Sequence, residues 1–499
     1  MDRGSAPSGS PASWIDGWAT NDETALWFEG AEVTYATLAR RIDEVAAALV
    51  DLGVSCGDRV SWVGLNRVEL FEVLFACARV GAIFNPLNNR LTARELGALV
   101  AAAAPTVILT ADGFGDTAAQ AVVAAGSKAS VRDLDVRPLV SSRQVAHGPV
   151  DPEDPLIMVF TSGTTGRPKG AVLSHRAVGA TVANGVASQR LDATDVIIAP
   201  LPTFHVGGLN IQTLPTLQVG GTVVLMRRFD PGEVLDLIER FRPTQALLVP
   251  AMLTAVSGHP GFAAADLTCF TGVMSGSSVV LASVTDPWFD RGVPIGQVYG
   301  TTETGPTAVV LDYDHAAAHP GSAGLAVAPS RIRIVDETGA EVEPGRSGEI
   351  LVQGPNLFTQ YWEDPRATAQ AMRGGWYHTG DVGHVDEDGW LFVSDRLRDM
   401  LISGGENVYP AEVEGVLIEH PRLAEVAVVG RPDERLGEVG VAFVVPTDMD
   451  EAPTLEELRS WAGDRLARFK HPRELVIVDE LPRTALGKVT KHVLRERLV

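Results

Sequence analysis

The stretch that decides the fold is Val159-Phe160-Thr161-Ser162-Gly163-Thr164-Thr165-Gly166-Arg167-Pro168-Lys169-Gly170. It follows an apolar run, residues 156–160, that is typical of a short buried strand. Three glycines and four hydroxyl residues fall within positions 161–170, with one lysine near the end. Glycines let a backbone bring its N–H groups close to an anion, and hydroxyls and an ammonium add further donors. The stretch therefore predicts a loop that wraps a polyphosphate, the alternative being an ordinary Gly/Ser/Thr-rich surface turn.

Composition and charge exclude several classes of function. The chain has 499 residues, 45% of them hydrophobic and 21% charged, which is typical of a soluble globular protein of more than one domain. Its three cysteines, Cys56, Cys77 and Cys269, lack metal-ligand spacing and favour a reduced, cytoplasmic location. No apolar run is long enough to span a bilayer, and residues 1–14 lack the apolar core of a signal peptide. The net charge of −22 argues against nucleic acid as a partner.

Lysine is scarce in this chain. Only five of the 41 basic residues are lysine, namely Lys128, Lys169, Lys470, Lys488 and Lys491. Codon bias explains the scarcity but not why one lysine remains in the predicted phosphate loop and three remain near the C-terminus. An ammonium on a flexible stem differs chemically from a guanidinium. The retained lysines are therefore candidates for function.

Strands and helices alternate along the first 300 residues, which predicts a doubly wound α/β sheet. Residues 116–147 show no clean periodicity and are predicted to be a variable connector. A small β-rich subdomain is predicted from short strands at 331–335, 348–352 and 390–394, and a small α+β domain from 411 onward. The predicted strands are 58–65, 106–110, 195–199, 222–226, 246–249, 269–274, 295–298, 426–429, 440–445 and 475–478, and the predicted helices are 68–81, 92–101, 174–188, 231–241 and 454–468.

Further motifs follow the phosphate loop in a fixed order. They are Leu201-Pro202-Thr203-Phe204-His205-Val206-Gly207-Gly208-Leu209, Tyr299-Gly300-Thr301-Thr302-Glu303, Trp376-Tyr377-His378-Thr379-Gly380-Asp381, Asp395-Arg396-Leu397-Arg398-Asp399 and Pro482-Arg483-Thr484-Ala485-Leu486-Gly487-Lys488. No Gly-Lys-Ser/Thr follows the first loop, so it is not a Walker loop. Together these motifs resemble the adenylate-forming acyl-CoA synthetase family of AMP-binding enzymes, over nearly the whole chain. The run Ser275-Gly276-Ser277-Ser278 departs from the family's usual Gly-Gly-Ala-Pro.

The resemblance implies a role for each motif. It implies that His205 borders the acyl pocket and the pantetheine entry, that Glu303 holds Mg²⁺, and that Lys488 and Thr302 stabilise charge at the α-phosphate. It implies a hinge at Arg398. The residues implied to bind ATP or CoA are Thr161, Ser162, Gly163, Thr164, Thr165, Lys169, Ser275, Gly276, Ser277, Tyr299, Asp381, Arg396, Gly404 and Gly405.

The family implies a large N-terminal domain of two doubly wound sheets with a β-barrel-like subdomain, residues 1–395. A hinge at 396–398 and a smaller mobile α+β domain at 399–499 would follow. The implied reaction is ATP-dependent ligation of a carboxylic acid to CoA through acyl-AMP, with ATP, Mg²⁺ and CoA as cofactors. An enzyme that loads a carrier protein instead, and a non-catalytic nucleotide-binding relative, are the alternatives. The sequence does not identify the acid, and it does not distinguish a monomer from a homodimer.

The residues do predict a substrate class. The segments expected to line the acyl pocket, 203–211, 245–256, 272–280 and 297–307, contain no Arg or Lys, and Glu303 is their only carboxylate. A second carboxylate on the substrate would be buried without a partner. Gly207, Gly208 and Gly300 are expected to leave the pocket roomy, and Asn210 and Gln212 to accommodate one oxygen substituent. These features predict a hydrophobic monocarboxylic acid that is medium-chain, aromatic or alicyclic.

Overall fold

The computed structural model describes residues 10–136, 138–143, 150–161, 168–276, 280, 282–336, 338–396, 401–408, 410–482, 489 and 491–498. The strands up to residue 326 are β1 Thr24–Phe28, β2 Ala31–Thr34, β3 Arg59–Val63, β4 Ile83–Pro86, β5 Val107–Thr110, β6 Ser130–Asp133, β7 Pro155–Thr161, β8 Lys169–Ser174, β9 Val196–Ala199, β10 Thr222–Leu225, β11 Gln245–Leu247, β12 Gly272–Gly276, β13 Ile295–Tyr299, β14 Val309–Leu311 and β15 Leu325–Ala326. The helices between them are α1 Tyr35–Asp51, α2 Val68–Val80, α3 Ala93–Ala103, α4 Gly115–Ala125, α5 His175–Gln189, α6 Val206–Asn210, α7 Thr213–Val219, α8 Pro231–Phe241, α9 Pro250–Ser257 and α10 Ala282–Phe289.

The remaining elements lie beyond residue 330. The strands are β16 Arg331–Val335, β17 Gly348–Gln353, β18 Gln360–Tyr361, β19 Met372–Arg373, β20 Trp376–Val385, β21 Leu391–Arg396, β22 Leu401–Ser403, β23 Glu406–Val408, β24 Leu423–Asp433, β25 Gly437–Pro446 and β26 Glu474–Ile477. The helices are α11 Pro365–Ala371, α12 Pro410–Leu417, α13 Leu455–Ala462 and α14 Lys491–Glu496. Among the described residues, every helix is too short or too polar to cross a lipid bilayer.

Two large sheets form the N-terminal part. Within the described residues, one has the strand order β15-β14-β13-β12-β11-β9-β10-β1-β2, and its strands from β13 to β1 are parallel. The other has the order β18-β8-β7-β4-β3-β5-β6 and is parallel from β7 to β6. Parallel strands joined through helices are the α/β arrangement that the sequence predicts, and that fold class is confirmed.

Helices pack between these sheets. Helix α2 is apolar around most of its circumference, and even Glu72 and Arg79 on it are buried. A helix of this kind has to be covered on all sides. Its side chains share one hydrophobic core with residues of both sheets, including Leu26, Phe84 and Leu225. The two sheets are therefore fixed relative to each other by a common core.

A third and a fourth sheet complete the chain. Strands β16, β17, β19, β20 and β21 form one sheet, and β22 to β26 form the other. We call residues 401–498 the small domain and the described residues before them the large domain. Sheet membership changes between Arg396, the end of β21, and Leu401, the start of β22. The predicted domain limits and the hinge at 396–398 stay predictions.

Two segments differ from the sequence prediction. The predicted connector at 116–147 begins with helix α4 and strand β6. Its helix was missed because Ala118 and Ala121, the buried residues of α4, do not contrast with the exposed alanines around them. The predicted helix at 454–468 ends at Ala462, because Gly463 follows and is a weak helix former. A 3₁₀ turn at Arg468–Lys470 comes after it.

Candidate active site

A cavity of 1510 Å³ lies where the large sheets, the third sheet and the small domain meet. Its wall contains Thr161 and Lys169 from β7 and β8, Thr302 and Glu303 beyond the end of β13, and Asp381 from β20. Sites in open α/β sheets lie beyond the carboxyl ends of strands, as Thr302 and Glu303 do here. The structure thus brings together residues that are up to 220 positions apart in the sequence.

The predicted phosphate loop joins two antiparallel strands. Thr161 pairs with Lys169 at the end of the β7–β8 ladder, and the Thr161 hydroxyl donates to the Lys169 carbonyl at 3.4 Å. The Lys169 ammonium lies 5.0 Å above the ring centroid of Tyr361. Ser162, Gly163, Thr164 and Thr165 lie outside the described residues. The ends of the loop are thereby fixed in a hairpin, with a cation beside the closing pair.

Glu303 sits on a short 3₁₀ turn, Thr302–Thr304, directly after strand β13 and Gly300. A Cβ at Gly300 would lie 1.7 Å from the Pro306 carbonyl oxygen, so only glycine allows this close turn. Glu303 is 6% exposed, and its Oε1 accepts a hydrogen bond from the Tyr361 hydroxyl at 2.7 Å. Tyr361 therefore orients the carboxylate beside Lys169. A buried, oriented carboxylate on the wall of this cavity suits Mg²⁺, which takes few protein ligands and completes its shell with phosphate and water oxygens.

Asp381 lies within strand β20. It is therefore not a turn residue, which its sequence motif would also have allowed. It is 3% exposed, and its Oδ2 accepts a hydrogen bond from the Tyr299 hydroxyl at 2.9 Å. Tyr299 is the last residue of β13, so the contact joins the first sheet to the third. A fixed, buried carboxylate beside an aromatic ring is the arrangement that a ribose diol and an adenine need. The Arg396 backbone pairs with Asp381 across β20 and β21; its side chain is outside the description.

Gly404 and Gly405 form the tip of a hairpin that faces the cavity. They have φ values of +60° and +82°, and Ser403 pairs with Glu406 across the turn. Two consecutive left-handed residues make the tight hairpin turn that favours glycine at both positions. A Cβ built on Gly405 would lie 3.8 Å from Val249 Cγ2 of the large domain. The small domain therefore presents this tip directly to the large one.

Glu406, the residue after the tip, makes a polar contact across the domain boundary. It is 3% exposed, and its Oε2 lies 3.2 Å from Nε2 of His205 and 3.5 Å from Nδ2 of Asn88. Arg90 forms an ion pair with its other oxygen. Burial opposes the charge of this carboxyl, but His205 and Arg90 hold its pKa below the usual value. Glu406 is thus a charged residue of the small domain that fixes His205 of the large domain.

Not every predicted residue lies on this wall. Ser275 and Gly276, at the end of β12, and Tyr299, at the end of β13, do not line the cavity. Ser275 is fully buried, and its hydroxyl has no hydrogen-bond partner among the described residues. A Cβ at Gly276 would lie 2.6 Å from the Val298 carbonyl oxygen, so the glycine allows close packing of strands. Ser277, Arg398 and Lys488 lie outside the described residues.

Sequence reasoning missed Tyr361 and Glu406. Tyr361 precedes no recognisable motif, and its partner Glu303 is 58 positions earlier. Glu406 follows the Gly404-Gly405 pair directly, so a carboxylate next to a predicted ligand-facing turn was an available signal. Its partners His205 and Arg90 are 201 and 316 positions away, which no local pattern reveals.

The comparisons with known proteins agree with this geometry. The sequence profile of the AMP-binding enzyme family matches residues 17–362, and that of the AMP-binding enzyme C-terminal domain matches 412–488. The chain is 43% identical to an indoleacetate–CoA ligase of Aromatoleum aromaticum over 97% of both chains. It is 40% identical to a feruloyl-CoA synthase of an Amycolatopsis species, over 95% of this chain and 96% of that one.

A solved structure shares both domains. It is the double mutant of o-succinylbenzoate CoA synthetase from Bacillus subtilis bound with its product analogue OSB-NCoA. The TM-score is 0.89 at 29% identity, over 97% of this chain and 98% of that one. The match extends through the small domain and therefore includes the arrangement of the two domains. The residues of the cavity wall suit a nucleotide, and the family profile and the relatives match most of the chain. The chain therefore belongs to the AMP-binding enzyme family.

Proposed function

We propose that this protein is an AMP-forming acid–thiol ligase that activates a hydrophobic, most simply aromatic, monocarboxylic acid and transfers it to CoA. The ligase class follows from relatives that are CoA ligases over nearly their whole length. The class of acid follows from one observation, the apolar part of the cavity wall around Gly207. Loading of a carrier protein is less favoured, because those relatives use CoA.

The apolar wall is built from side chains of the large domain. Gly207, Ile211, Val298 and Pro306 line it, together with Val249 and Met252. A Cβ built on Gly207 would meet only Ile211 Cδ1, at 3.8 Å, so this glycine leaves open space in the cavity. These six residues offer burial to an apolar substrate, and none of them is charged.

The other two glycines that the sequence suggested for pocket volume have a different role. A Cβ at Gly208 would lie 2.3 Å from the Pro202 carbonyl oxygen, and a Cβ at Gly300 would lie 1.7 Å from the Pro306 carbonyl oxygen. Both are required by backbone packing, so they carry no information about substrate size. Asn210 is fully buried, and its Nδ2 donates to the Gly305 carbonyl at 2.7 Å. The size argument therefore rests on Gly207.

The residues of the site support two successive steps. In the first, the acid's carboxylate attacks the α-phosphate of ATP and gives acyl-AMP and pyrophosphate. Lys169, Thr302 and Lys488 would stabilise the charge that develops there, a kind of contact worth about 3 kcal/mol per donor. Glu303 would hold Mg²⁺, which neutralises phosphate charge when bound. Asp381 and Tyr299 would hold the ribose and adenine while the phosphates react.

In the second step, the CoA thiolate attacks the acyl carbon and displaces AMP. The hairpin tip at Gly404 and Gly405 would border the pantetheine, because it faces the cavity beside His205. Glu406 would keep the His205 ring turned toward the small domain while the thiol enters. Two steps at one site require that the groups serving each step be exchanged, which is the role of domain gating.

A panel of acids tests the proposal. Pyrophosphate release would be measured with acetate, malonate, octanoate, benzoate, cinnamate and indole-3-acetate, and product formation with CoA against a phosphopantetheinyl carrier protein. We expect kcat/KM for the aromatic acids to exceed that for acetate and malonate by at least about 10²-fold, with CoA as the acceptor. A preference for acetate or malonate would contradict the proposed substrate class.

Gly207→Leu should weaken the preference for large acids. The new side chain would occupy open cavity space, so kcat/KM for a bicyclic aromatic acid should fall by about tenfold or more, while that for propionate should not fall. Gly207→Ala is the matched control and should give a smaller shift in the same direction. An equal loss for large and small acids would show that Gly207 does not border the acyl group.

A further inference from the structure

Lys470 is one of the five lysines that the sequence retains, and the site described above does not use it. It ends the 3₁₀ turn Arg468–Lys470 of the small domain and is only 8% exposed. Buried lysines are rare unless they are paired. The Lys470 ammonium is therefore expected to have acidic partners.

Two carboxylates from different domains share the Lys470 ammonium. Its Nζ lies 3.1 Å from Oε1 of Glu95, in helix α3 of the large domain, and 2.8 Å from Oε1 of Glu412, in helix α12 of the small domain. The backbone N–H of Ala467 donates to the same Glu95 oxygen at 3.2 Å. Burial opposes the ammonium, but Glu412 and Glu95 hold the pKa of Lys470 above its usual value. The group is therefore a charged contact between the domains.

Glu95 is held in place on its own side. It is the third residue of α3, and its Oε2 accepts hydrogen bonds at 2.9 Å from the Thr92 backbone N–H and hydroxyl. This is the reciprocal capping box that begins a helix. One oxygen of Glu95 thus closes the end of a helix while the other faces the small domain. The contact point is rigid, because it is part of a helix terminus and not of a free side chain.

We propose that Glu95 and Lys470 are positioning residues that hold the small domain in the arrangement used for the CoA step. In this arrangement Glu406 reaches His205 and the Gly405 tip faces Val249. The proposal rests on the proposed function, because that function requires Lys488 to approach the α-phosphate in the other step. A rotation at residues 396–398 that moves the small domain away from helix α3 would separate Lys470 from Glu95.

Glu412 makes that separation possible at little cost. It belongs to the same domain as Lys470 and stays beside the ammonium when the domains part, so the lysine is never left buried and unpaired. Glu95 keeps its two bonds from Thr92 and continues to cap α3. The Glu95–Lys470 pair can therefore form in one arrangement and separate in the other without leaving a buried charge unpaired.

The test compares Glu95→Gln, Lys470→Met and the control Glu412→Gln in the full-length protein. The carbonyl oxygen of glutamine can keep the capping box. Its amide nitrogen, in place of Oε1, accepts from neither Lys470 nor the Ala467 N–H, so Glu95→Gln removes the contact between the domains. We expect Glu95→Gln and Lys470→Met each to slow thioester formation from synthetic acyl-AMP and CoA by about tenfold. Adenylation, followed by pyrophosphate release, should stay within about twofold of wild type in these two variants. Glu412→Gln changes the partner of Lys470 within the small domain and leaves the contact with Glu95, so it should not slow thioester formation. The double variant Glu95→Gln/Lys470→Met should be no slower than the slower single variant.

Amide hydrogen exchange gives a readout that needs no turnover. Exchange of the segment around Ala467 in the substrate-free protein should rise in Glu95→Gln and Lys470→Met, and not in Glu412→Gln. An unchanged thioester rate in Glu95→Gln, an equal slowing of both steps, or an equal effect of Glu412→Gln would each overturn the proposal. If the wild-type protein forms no acyl-AMP, the proposed ligase function is wrong. If amide exchange is unchanged in Glu95→Gln, the proposed role of the Glu95–Lys470 pair is wrong, whatever the outcome for the ligase function.

Discussion

Lys488→Ala is expected to slow adenylation by about 10²-fold or more while leaving thioester formation from synthetic acyl-AMP close to wild type. The reason is that the ammonium stabilises the negative charge that develops at the attacked α-phosphate, whereas the proposed domain rotation withdraws Lys488 from the site when CoA displaces AMP. Described residues on both sides of Lys488 belong to the core of the small domain, with Leu481 5% exposed and Val489 packed against the same cluster. Pyrophosphate release and thioester formation, measured separately, check the result.

Lys488→Arg is the control for this variant. It keeps the charge but replaces a compact ammonium with a planar guanidinium, so adenylation should be intermediate between wild type and Lys488→Ala. Equal losses in both half-reactions of Lys488→Ala would contradict the idea that the lysine serves one step only. So would a wild-type rate of pyrophosphate release.

Arg398→Pro is expected to have the opposite effect, with adenylation preserved and thioester formation reduced by about 10²-fold, the size of a shift to a one-in-a-hundred population. Proline fixes φ near −65° and removes a backbone donor. The position lies between the end of β21 in the third sheet and the start of β22 in the small domain, where any rotation of one against the other has to occur. The same two half-reaction assays measure the outcome.

Arg398→Gly provides the comparison, because it removes the same side chain without restricting the backbone. Both half-reactions should then remain within a few-fold of wild type. If Arg398→Gly is as slow as Arg398→Pro in the CoA step, the side chain matters and not the rotation. A wild-type thioester rate in Arg398→Pro would place the pivot elsewhere.

Much of the fold was predictable because its signals are local. The α/β class follows from apolar segments of strand and helix length, and helix α8 has the predicted limits, with Asp230 accepting from the Glu233 N–H at its start. Asp381 and Glu303 were predicted because each lies in a short motif that resembles one of the family's. Their hydrogen-bond partners, Tyr299 and Tyr361, fix these carboxylates in the structure.

What could not be predicted depends on contacts between distant segments. Glu406 follows the Gly404-Gly405 turn in the sequence, but no local pattern shows that the domain arrangement buries it against His205 and Arg90. Gly208 has the same appearance in the sequence as Gly207, yet backbone packing requires one and the cavity uses the other. Both distinctions arise from tertiary packing, which no sequence period encodes.

The cavity wall draws on every sheet of the protein, and this has a consequence for how the chain unfolds. Lys169 comes from one sheet, Glu303 from the end of another, Asp381 from a third, and Glu406 from the small domain. A nucleotide that contacts Lys169, Glu303 and Asp381 binds only when the three sheets that carry them are assembled. Nucleotide at 100 times its Kd would then add about 2.7 kcal/mol to the free energy of unfolding of the assembled sheets. It would add nothing to the stability of any one sheet by itself. Substrates of this protein should therefore make its melting transition more cooperative as well as raising its temperature.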